Sequence, residues 1–195
     1  MTGINELFLE RQNGRSLDAI ASDHLARYAW AANVLRSKIG TGRVLDAASG
    51  VGYGSFLLAE AGFQVDAMDI APKAQQIQKE FYSHKNVAFH LCDIAKTSLE
   101  RYDAIVSFET IEHLPHPEDF IKKWDARIIL ASVPNEAALP HSSEAFPFHY
   151  RHYTKEEFDS LLPGNKQWFT QYGKWELYKI HPGHTGRTLI ALIEP

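Results

Sequence analysis

Hydrophobic residues along the chain follow two spacings, one typical of amphipathic helices and one typical of buried strands. The segment 17–39 carries apolar side chains three and four positions apart, with an interruption near Ser22, and Gly40 stands where a helix C-cap glycine belongs. Seven short apolar runs predict strands: 44–45, 63–70, 86–91, 102–108, 127–133, 166–172 and 188–193. Further helical patterns lie at 55–61, 71–82, 118–124 and 155–162. This alternation predicts an α/β fold with a parallel sheet, closed by an antiparallel C-terminal pair.

Composition and charge narrow the class of protein. The 195 residues carry a formal net charge of −4, which gives no overall electrostatic footprint for nucleic acid. Cys92 is the single cysteine, so an internal disulfide is excluded and a reducing compartment fits. No apolar run approaches the roughly 18–20 residues of a membrane span, and no basic-then-apolar signal opens the chain. We therefore expect one cytoplasmic domain over 1–195, with 1–40 as an N-terminal lid or helical segment.

The most informative stretch runs from Val44 to Leu58 and reads VLDAASGVGYGSFLL. A strand, a glycine-rich turn and a helix in this order form the nucleotide-binding opening of a doubly wound sheet. Glycine permits positive φ and lets a ligand approach the backbone closely. A dinucleotide fingerprint does not fit, because Gly54 comes one residue early and Ser55 holds the expected place. The stretch also lacks the Gly-Lys pair of a P-loop.

Two acidic residues follow the next two predicted strands. Asp69 lies 19 residues after Gly50, close to the spacing of about 20 expected for a carboxylate that holds ribose hydroxyls. Asp69 could also cap the helix that starts near Pro72, and the two roles are compatible. Asp93 follows the third strand, where it could accept from an adenine amino group with the backbone of Ile94 facing the ring, although Asp is common after strands.

Four segments in order resemble motifs of the class I S-adenosylmethionine (SAM) dependent methyltransferases: VLDAASGVGYG at 44–54, DAMDI at 66–70, YDAIVSFETIEHL at 102–114 and SVPN at 132–135. The first segment departs once from the common form Asp/Glu-x-Gly-x-Gly-x-Gly, because Ala48 replaces the first glycine. The resemblance extends over most of the chain, from about residue 10 to the end.

The resemblance implies a doubly wound, Rossmann-like α/β fold with a mostly parallel seven-stranded sheet and an antiparallel C-terminal strand. It also implies SAM as cofactor and transfer of its methyl group to a small-molecule or sugar-like acceptor. The implied cofactor-binding residues are Asp46, Ala48, Gly50, Gly52, Asp69, Ile70, Asp93, Ile94, Phe108 and Arg27. For Arg27 the role would be to meet the SAM carboxylate from a lid helix, and the alternative is that Arg27, His24 and Tyr28 are surface and boundary residues.

The segment after the fourth strand supplies the candidate catalytic residues, which are His113, Glu109 and His149 from a later loop. In the metal-free interpretation, His113 is a general base or binds the acceptor, and Glu109 orients it. Alternatively, Glu109, Glu112 and His113 form half of a divalent-metal site completed by His149 or His152, which resembles the metal site of small-RNA 2′-O-methyltransferases. A third interpretation is that Glu112 and His113 only cap and pack the start of a helix.

Three other functions stay open at this point. A metal-assisted RNA 2′-O-methyltransferase would show metal dependence and salt-sensitive RNA affinity. A methyltransferase-like module without activity would fit Ala48 and the short segment before the fifth strand. A nicotinamide-dependent oxidoreductase is disfavoured by the glycine spacing. We favour a metal-free methyltransferase that acts on a small molecule. The net negative charge disfavours a nucleic-acid acceptor. The oligomeric state is open.

Overall fold

The computed structural model describes residues 12–172, 176–179 and 186–195. Its helices are α1 (Ser22–Ile39), α2 (Tyr53–Glu60), α3 (Pro72–Phe81), α4 (Pro117–Ile121) and α5 (Lys155–Leu161), with 3₁₀ turns at Leu17–Ala19 and Ile111–His113. Its strands are β1 (Arg43–Ala47), β2 (Gln64–Asp69), β3 (Val87–Leu91), β4 (Tyr102–Phe108), β5 (Ala126–Pro134), β6 (Asn165–Tyr172), β7 (Glu176–Lys179) and β8 (Thr188–Glu194).

The strands form one sheet in the order β3-β2-β1-β4-β5-β8-β6-β7. Strands β1 to β5 run parallel to one another, whereas β8 runs antiparallel to both β5 and β6. The predicted doubly wound α/β fold with a mostly parallel sheet and an antiparallel C-terminal strand is confirmed. The described sheet contains one strand more than the seven predicted, because Glu176–Lys179 pairs with the edge of β6. Its sequence, ELYK, does not alternate between apolar and polar residues, so no strand pattern marks it.

Helix boundaries agree with the predicted local signals. The interruption near Ser22 separates the 3₁₀ turn from α1, and Gly40 caps α1 with φ of +72°. At α5, the Thr154 side chain accepts from the backbone N–H of Glu157, and the Glu157 carboxylate accepts from the Thr154 N–H. This capping box satisfies two N–H groups that the helix itself cannot pair.

The core lies on both faces of the sheet, because neighbouring residues of a strand point to opposite sides. In β1, Val44 packs into the cluster under α1 and α2, while Leu45 and Ala47 pack into the cluster on the α4 and α5 face. All three side chains are essentially inaccessible. Burial of a Val or Leu side chain contributes roughly 1.5–3 kcal/mol, so both layers stabilise the same central strand.

The strand order reverses between β1 and β4, which each connect in sequence to strands on opposite sides of the sheet. At such a reversal, the loops that follow the carboxyl ends of the strands separate and leave a crevice. The glycine-rich segment after β1 and the Glu-His segment after β4 both start at this edge. Within the described part of the chain, no helix is both long and apolar enough to cross a bilayer.

Candidate active site

A cavity of about 620 Å³ occupies the crevice at the carboxyl edge of the sheet. Its walls come from α1, from the segments that follow β1 to β4, and from the loop before α5. Eleven of the predicted site residues line it: Arg27, Ala48, Gly50, Asp69, Ile70, Asp93, Ile94, Phe108, Glu109, His113 and His149. Residues that the sequence placed in separate motifs therefore share one cavity. Asp46 and Gly52 are the two predicted residues outside this lining.

The glycine-rich loop presents its backbone to the cavity at Gly50. This residue has φ of +57°, and a Cβ built there would meet no atom within 4 Å. At Gly52, with φ of +94°, a Cβ would come within 2.7 Å of the Gln78 side chain. Gln78 is buried in α3 and donates from Nε2 to Ser49 Oγ at 2.8 Å and to the Gly50 carbonyl at 2.6 Å. The cavity side of the loop is open, and its other side is fixed by Gln78.

Asp46 lies beneath the loop, although the sequence analysis placed it against the cofactor. It is completely buried, and its two oxygens accept from Tyr28 Oη at 2.8 Å and from Ser55 Oγ at 2.5 Å. Burial raises the pKa of the Asp46 carboxyl to about 6, while these two hydrogen bonds act in the opposite direction. The side chain joins β1, α1 and α2 and therefore supports the cavity from below.

The last glycine of the segment 44–54, Gly54, serves helix packing. A Cβ on Gly54 would lie 2.1 Å from Cζ of Tyr28, inside the aromatic ring. Gly54 is in the first turn of α2, and Tyr28 is in the middle of α1. The missing side chain thus lets α1 approach closely enough for Tyr28 to reach Asp46.

Asp69 is held at the end of β2 by two backbone donors. Its Oδ1 accepts from the Ala71 N–H at 2.8 Å, at the residue before α3, and its Oδ2 accepts from the Gly50 N–H at 2.9 Å. Asp69 is 2% exposed and lines the cavity. Asp93 is also in the lining, and its Oδ1 accepts from the Ala95 N–H at 3.0 Å. Both carboxylates are held by backbone donors at successive strand ends.

The first turns of α1 close one side of the cavity. Arg27 is 2% exposed and donates from Nη1 to Gln171 Oε1 at 2.6 Å, while Gln171 Nε2 donates to the Asp23 carbonyl. Arg27 and Tyr28 are buried, so the alternative that placed them on the surface is wrong for these two residues. Gln171 is 144 positions away from Arg27, and the sequence offered no signal for this pair.

His24 lies next to Arg27 on the cavity wall. One ring nitrogen, Nδ1, is 3.0 Å from Tyr53 Oη. Burial, followed by the Arg27 charge, lowers the pKa of His24 to about 4, and burial raises the pKa of Tyr53 well above its usual value. The imidazole is therefore neutral at physiological pH. Sequence analysis assigned no role to Tyr53, which directly follows Gly52.

Glu109 follows β4 in a strained backbone conformation, with φ of +49°. Its N–H donates to the Ser132 carbonyl, and its Oε1 accepts from Ser132 Oγ at 2.7 Å. Residues other than glycine rarely adopt this region, which costs about 1–3 kcal/mol and is concentrated at functional sites. Ser132 on β5 thus directs the Glu109 carboxylate at the cavity wall.

Glu112, His113 and His149 form a compact cluster, each offering a carboxylate or imidazole atom within 4.8 Å of the others. Glu112 is completely buried, and the rings of His113 and His149 meet edge to face at 4.6 Å between centroids. The loop reaches the cluster because the Tyr150 N–H donates to the Glu112 carbonyl at 2.8 Å. The structure brings His113 and His149 together as predicted, and Glu112 is the carboxylate of their cluster. Glu109 is not part of this cluster and binds Ser132 instead.

Comparisons with known proteins agree with this geometry. A family model described as a methyltransferase domain matches residues 22–180. The magnesium-protoporphyrin O-methyltransferase of Rhodobacter capsulatus is 28% identical over 106 residues, or 50% of this chain and 47% of that protein. The chain thus matches about half the length of this curated relative.

Two solved structures share the fold. The N-methyltransferase NodS of Bradyrhizobium japonicum, in complex with S-adenosylhomocysteine, has a TM-score of 0.68 at 15% identity, covering 98% of this chain and 95% of that chain. The small RNA methyltransferase HEN1 has a TM-score of 0.65 at 17% identity, covering 87% of this chain and 25% of that chain. The predicted resemblance to class I SAM-dependent methyltransferases is confirmed. The family match extends over most of the sequence, so the chain belongs to the methyltransferase domain family.

Proposed function

We propose that the protein uses SAM to methylate a hydroxyl or amine group of a small-molecule or sugar-like acceptor. The observation that carries this proposal is the single cavity, in which Gly50, Asp69 and Asp93 face the same space as His113 and His149. The first three residues are those expected to hold the cofactor. The two imidazoles can take a proton from an acceptor.

The residues present fit the cofactor. The open space beside Gly50 lets a ligand approach the backbone, and the Asp69 carboxylate at the end of β2 can accept from ribose hydroxyls. Asp93 and the backbone of Ile94 would hold the adenine, and Phe108 would pack nearby. Arg27 would meet the carboxylate group, since its guanidinium is fixed by Gln171 at the wall of the cavity.

When bound, SAM supplies a methyl group that its sulfonium makes electrophilic, so the cofactor brings the difficult chemistry. The tasks left to the chain are to align the acceptor and to remove its proton. His113 and His149 are placed for the second task, beside the buried Glu112 carboxylate.

Charge in the cavity supports the choice of acceptor group. Besides the proposed cofactor residues, the lining of the cavity includes Glu109, Glu112 and Asp119 together with His113 and His149. An anionic acceptor would meet like charges there, with a cost in binding free energy. A neutral hydroxyl or an amine avoids this repulsion, and each carries a proton that the imidazoles can accept.

Calorimetric titration of the EDTA-treated protein with S-adenosylhomocysteine tests the cofactor site. We expect a dissociation constant near micromolar, about −8 kcal/mol. Asp69→Ala should weaken binding by about 1–3 kcal/mol, because hydrogen bonds to a charged carboxylate are lost. Asp66→Ala is the matched control: Asp66 is also a buried carboxylate of β2, but it bonds Arg43 and His90 away from the cavity. Absence of binding in the wild-type protein would favour a module without activity.

A metal-assisted RNA 2′-O-methyltransferase is the second candidate, and the Glu112, His113 and His149 cluster is the observation that favours it. A carboxylate with two imidazoles suits Mn²⁺ or a similar divalent ion. Titration with Mn²⁺ alone distinguishes the candidates. Saturable binding that is lost in Glu112→Gln, with binding of a short RNA that weakens steeply with salt, would favour this function over the first.

A further inference from the structure

The loop between β5 and α5 contains a connected set of imidazoles behind the proposed active site. His149 Nδ1 lies 2.8 Å from His152 Nε2, and His152 Nδ1 lies 2.6 Å from the Leu139 carbonyl oxygen. On the other side, His113 Nδ1 lies 3.0 Å from the Phe148 carbonyl oxygen. His152 does not line the cavity, and it is 4% exposed.

These contacts determine where the protons are, because a carbonyl oxygen only accepts hydrogen bonds. The proton of His152 must be on Nδ1, facing Leu139, so the Nε2 of neutral His152 is an acceptor. His149 must then donate from Nδ1 to His152, which leaves the lone pair of neutral His149 on Nε2. The Phe148 carbonyl gives His113 the same tautomer, with its lone pair on Nε2.

Packing holds the rings in this arrangement. Phe146 stacks on His149 with an angle of 22° between the rings and contacts His152 edge to face at 4.5 Å between centroids. His141 Nε2 is within 3.0 Å of the His149 carbonyl oxygen and fixes the backbone at that point. A flip of the His152 ring would break its contact with Leu139, and a flip of the His149 ring would break its contact with His152.

We propose that His152 is a positioning residue that holds His149 with its proton on Nδ1, so that Nε2 is the ring nitrogen that His149 presents to the proposed active site. This inference rests on the proposed function and assigns the acting nitrogen of His149 within it. His113 needs no side-chain partner of this kind because a backbone carbonyl fixes it.

The ¹⁵N resonances of the histidine rings test the inference without turnover, since protonated and unprotonated ring nitrogens have clearly separate chemical shifts. The sample is the EDTA-treated, ¹⁵N-histidine-labelled full chain at one neutral pH. In the wild-type protein we expect His149 to show a protonated Nδ1 and an unprotonated Nε2. A protonated Nε2 in His149 would overturn the inference.

Three variants separate positioning from packing. His152→Phe removes the acceptor for His149, and we expect the Nε2 of His149 to become wholly or partly protonated. His152→Gln offers a side-chain carbonyl near the former Nε2 position and should restore the wild-type pattern. His141→Phe is the control, because it removes the hydrogen bond from His141 to the His149 backbone and keeps an aromatic ring against Phe146 and His152, so it should leave the tautomer unchanged.

Two results would count against the inference. One is that His149 keeps the wild-type tautomer in His152→Phe. The other is that His141→Phe loses this tautomer as much as His152→Phe does. If His152→Phe does not fold, the wild-type spectrum and His152→Gln still decide. Titration of the same samples with S-adenosylhomocysteine keeps this test apart from the proposed function. Failure to bind the nucleoside would contradict the proposed function, whereas the tautomer is read independently of it.

Discussion

At the scale of single residues, Ala48 shows how the chain tolerates a departure from its motif. Ala48 takes the place of the first motif glycine and keeps a left-handed backbone, with φ of +58°. This conformation costs an L-residue with a Cβ about 1–2 kcal/mol. The loop retains its shape because Gln78 binds Ser49 and the Gly50 carbonyl on the side away from the cavity. With alanine in place of the first motif glycine, the proposed cofactor loop still forms, and Ala48 carries backbone strain.

We predict that Ala48→Gly stabilises the protein. Relief of the left-handed strain exceeds the added entropy of glycine in the unfolded chain, which is about 0.4–1 kcal/mol. The expected net gain is about 0.5–1 kcal/mol in the free energy of unfolding, measured by urea denaturation. The control is Ala67→Gly, because Ala67 is a buried residue in the extended middle of β2 and its replacement should destabilise. Equal losses from both substitutions would mean that Ala48 is not strained.

Some positions in the cavity wall were predictable because a strand end determines them. Asp69 and Asp93 line the cavity because each follows a parallel strand, and parallel strands end at a common edge. Asp46 also comes near a strand end, but it is the fourth residue of β1 and its side chain points below the loop to Tyr28 and Ser55. The pairs Arg27–Gln171 and Glu109–Ser132 depend on tertiary structure between distant segments, which residue spacing does not encode.

At the scale of elements, the packing of α1 on α2 is the contact that shapes the cavity. Tyr28 of α1 lies over Gly54 of α2 and meets the rings of Tyr53 and Phe108 edge to face. Such aromatic pairs contribute about 0.5–1.5 kcal/mol each beyond the area they bury. The same helix carries His24 and Arg27 to the cavity wall. The position of α1 therefore couples the stability of the fold to the shape of the site.

We predict that Gly54→Ala destabilises the protein by about 1–3 kcal/mol, the usual cost of overpacking a core. The new methyl group would overlap the ring of Tyr28 and push α1 away from the sheet. The affinity for S-adenosylhomocysteine should fall as well, because α1 carries Arg27. Urea denaturation and calorimetric titration of the same samples measure the two effects.

A double-mutant cycle with Tyr28→Ala checks the cause of this loss. Removal of the ring opens the space that the methyl group needs, so Gly54→Ala should cost much less in the Tyr28→Ala background. Additive losses in the free energy of unfolding would show that the effect of Gly54→Ala has another origin, such as the start of α2.

Elements were more predictable than contacts because a helix or strand repeats its pattern over several residues. The seven predicted strands are present with ends displaced by one or two residues, as at 63–70, where the strand is Gln64–Asp69. The predicted helix at 118–124 is shorter, Pro117–Ile121, because a turn that leads into β5 takes its last residues. The strand Glu176–Lys179 is stabilised by pairing with β6, and its own four residues do not reveal that pairing.

At the scale of the whole molecule, two ionisable groups, the half-buried His24 and the fully buried Asp46, give the free energy of unfolding opposing dependences on pH. The pKa of His24 is lowered from 6.5 to about 4, chiefly by burial. Between these two values His24 is protonated in the unfolded chain and neutral in the folded chain. Stability from this group is complete above pH 6.5 and is lost as the pH falls towards 4. The pKa of Asp46 is raised from 3.8 to about 6, again chiefly by burial. Stability from this group is complete below pH 3.8 and is lost as the pH rises towards 6.

We predict that the two contributions nearly cancel between pH 4 and 6 in the wild-type protein and that single substitutions reveal them. Each pKa change corresponds to about 3 kcal/mol at most. Relative to wild type, the free energy of unfolding of His24→Gln should fall as the pH rises from 4 to 6, because the opposing contribution of Asp46 remains. Asp46→Asn should show the reverse, rising relative to wild type over the same interval. Urea denaturation of the three proteins at pH 4, 5 and 6 measures both differences, and parallel pH profiles would contradict the two pKa shifts.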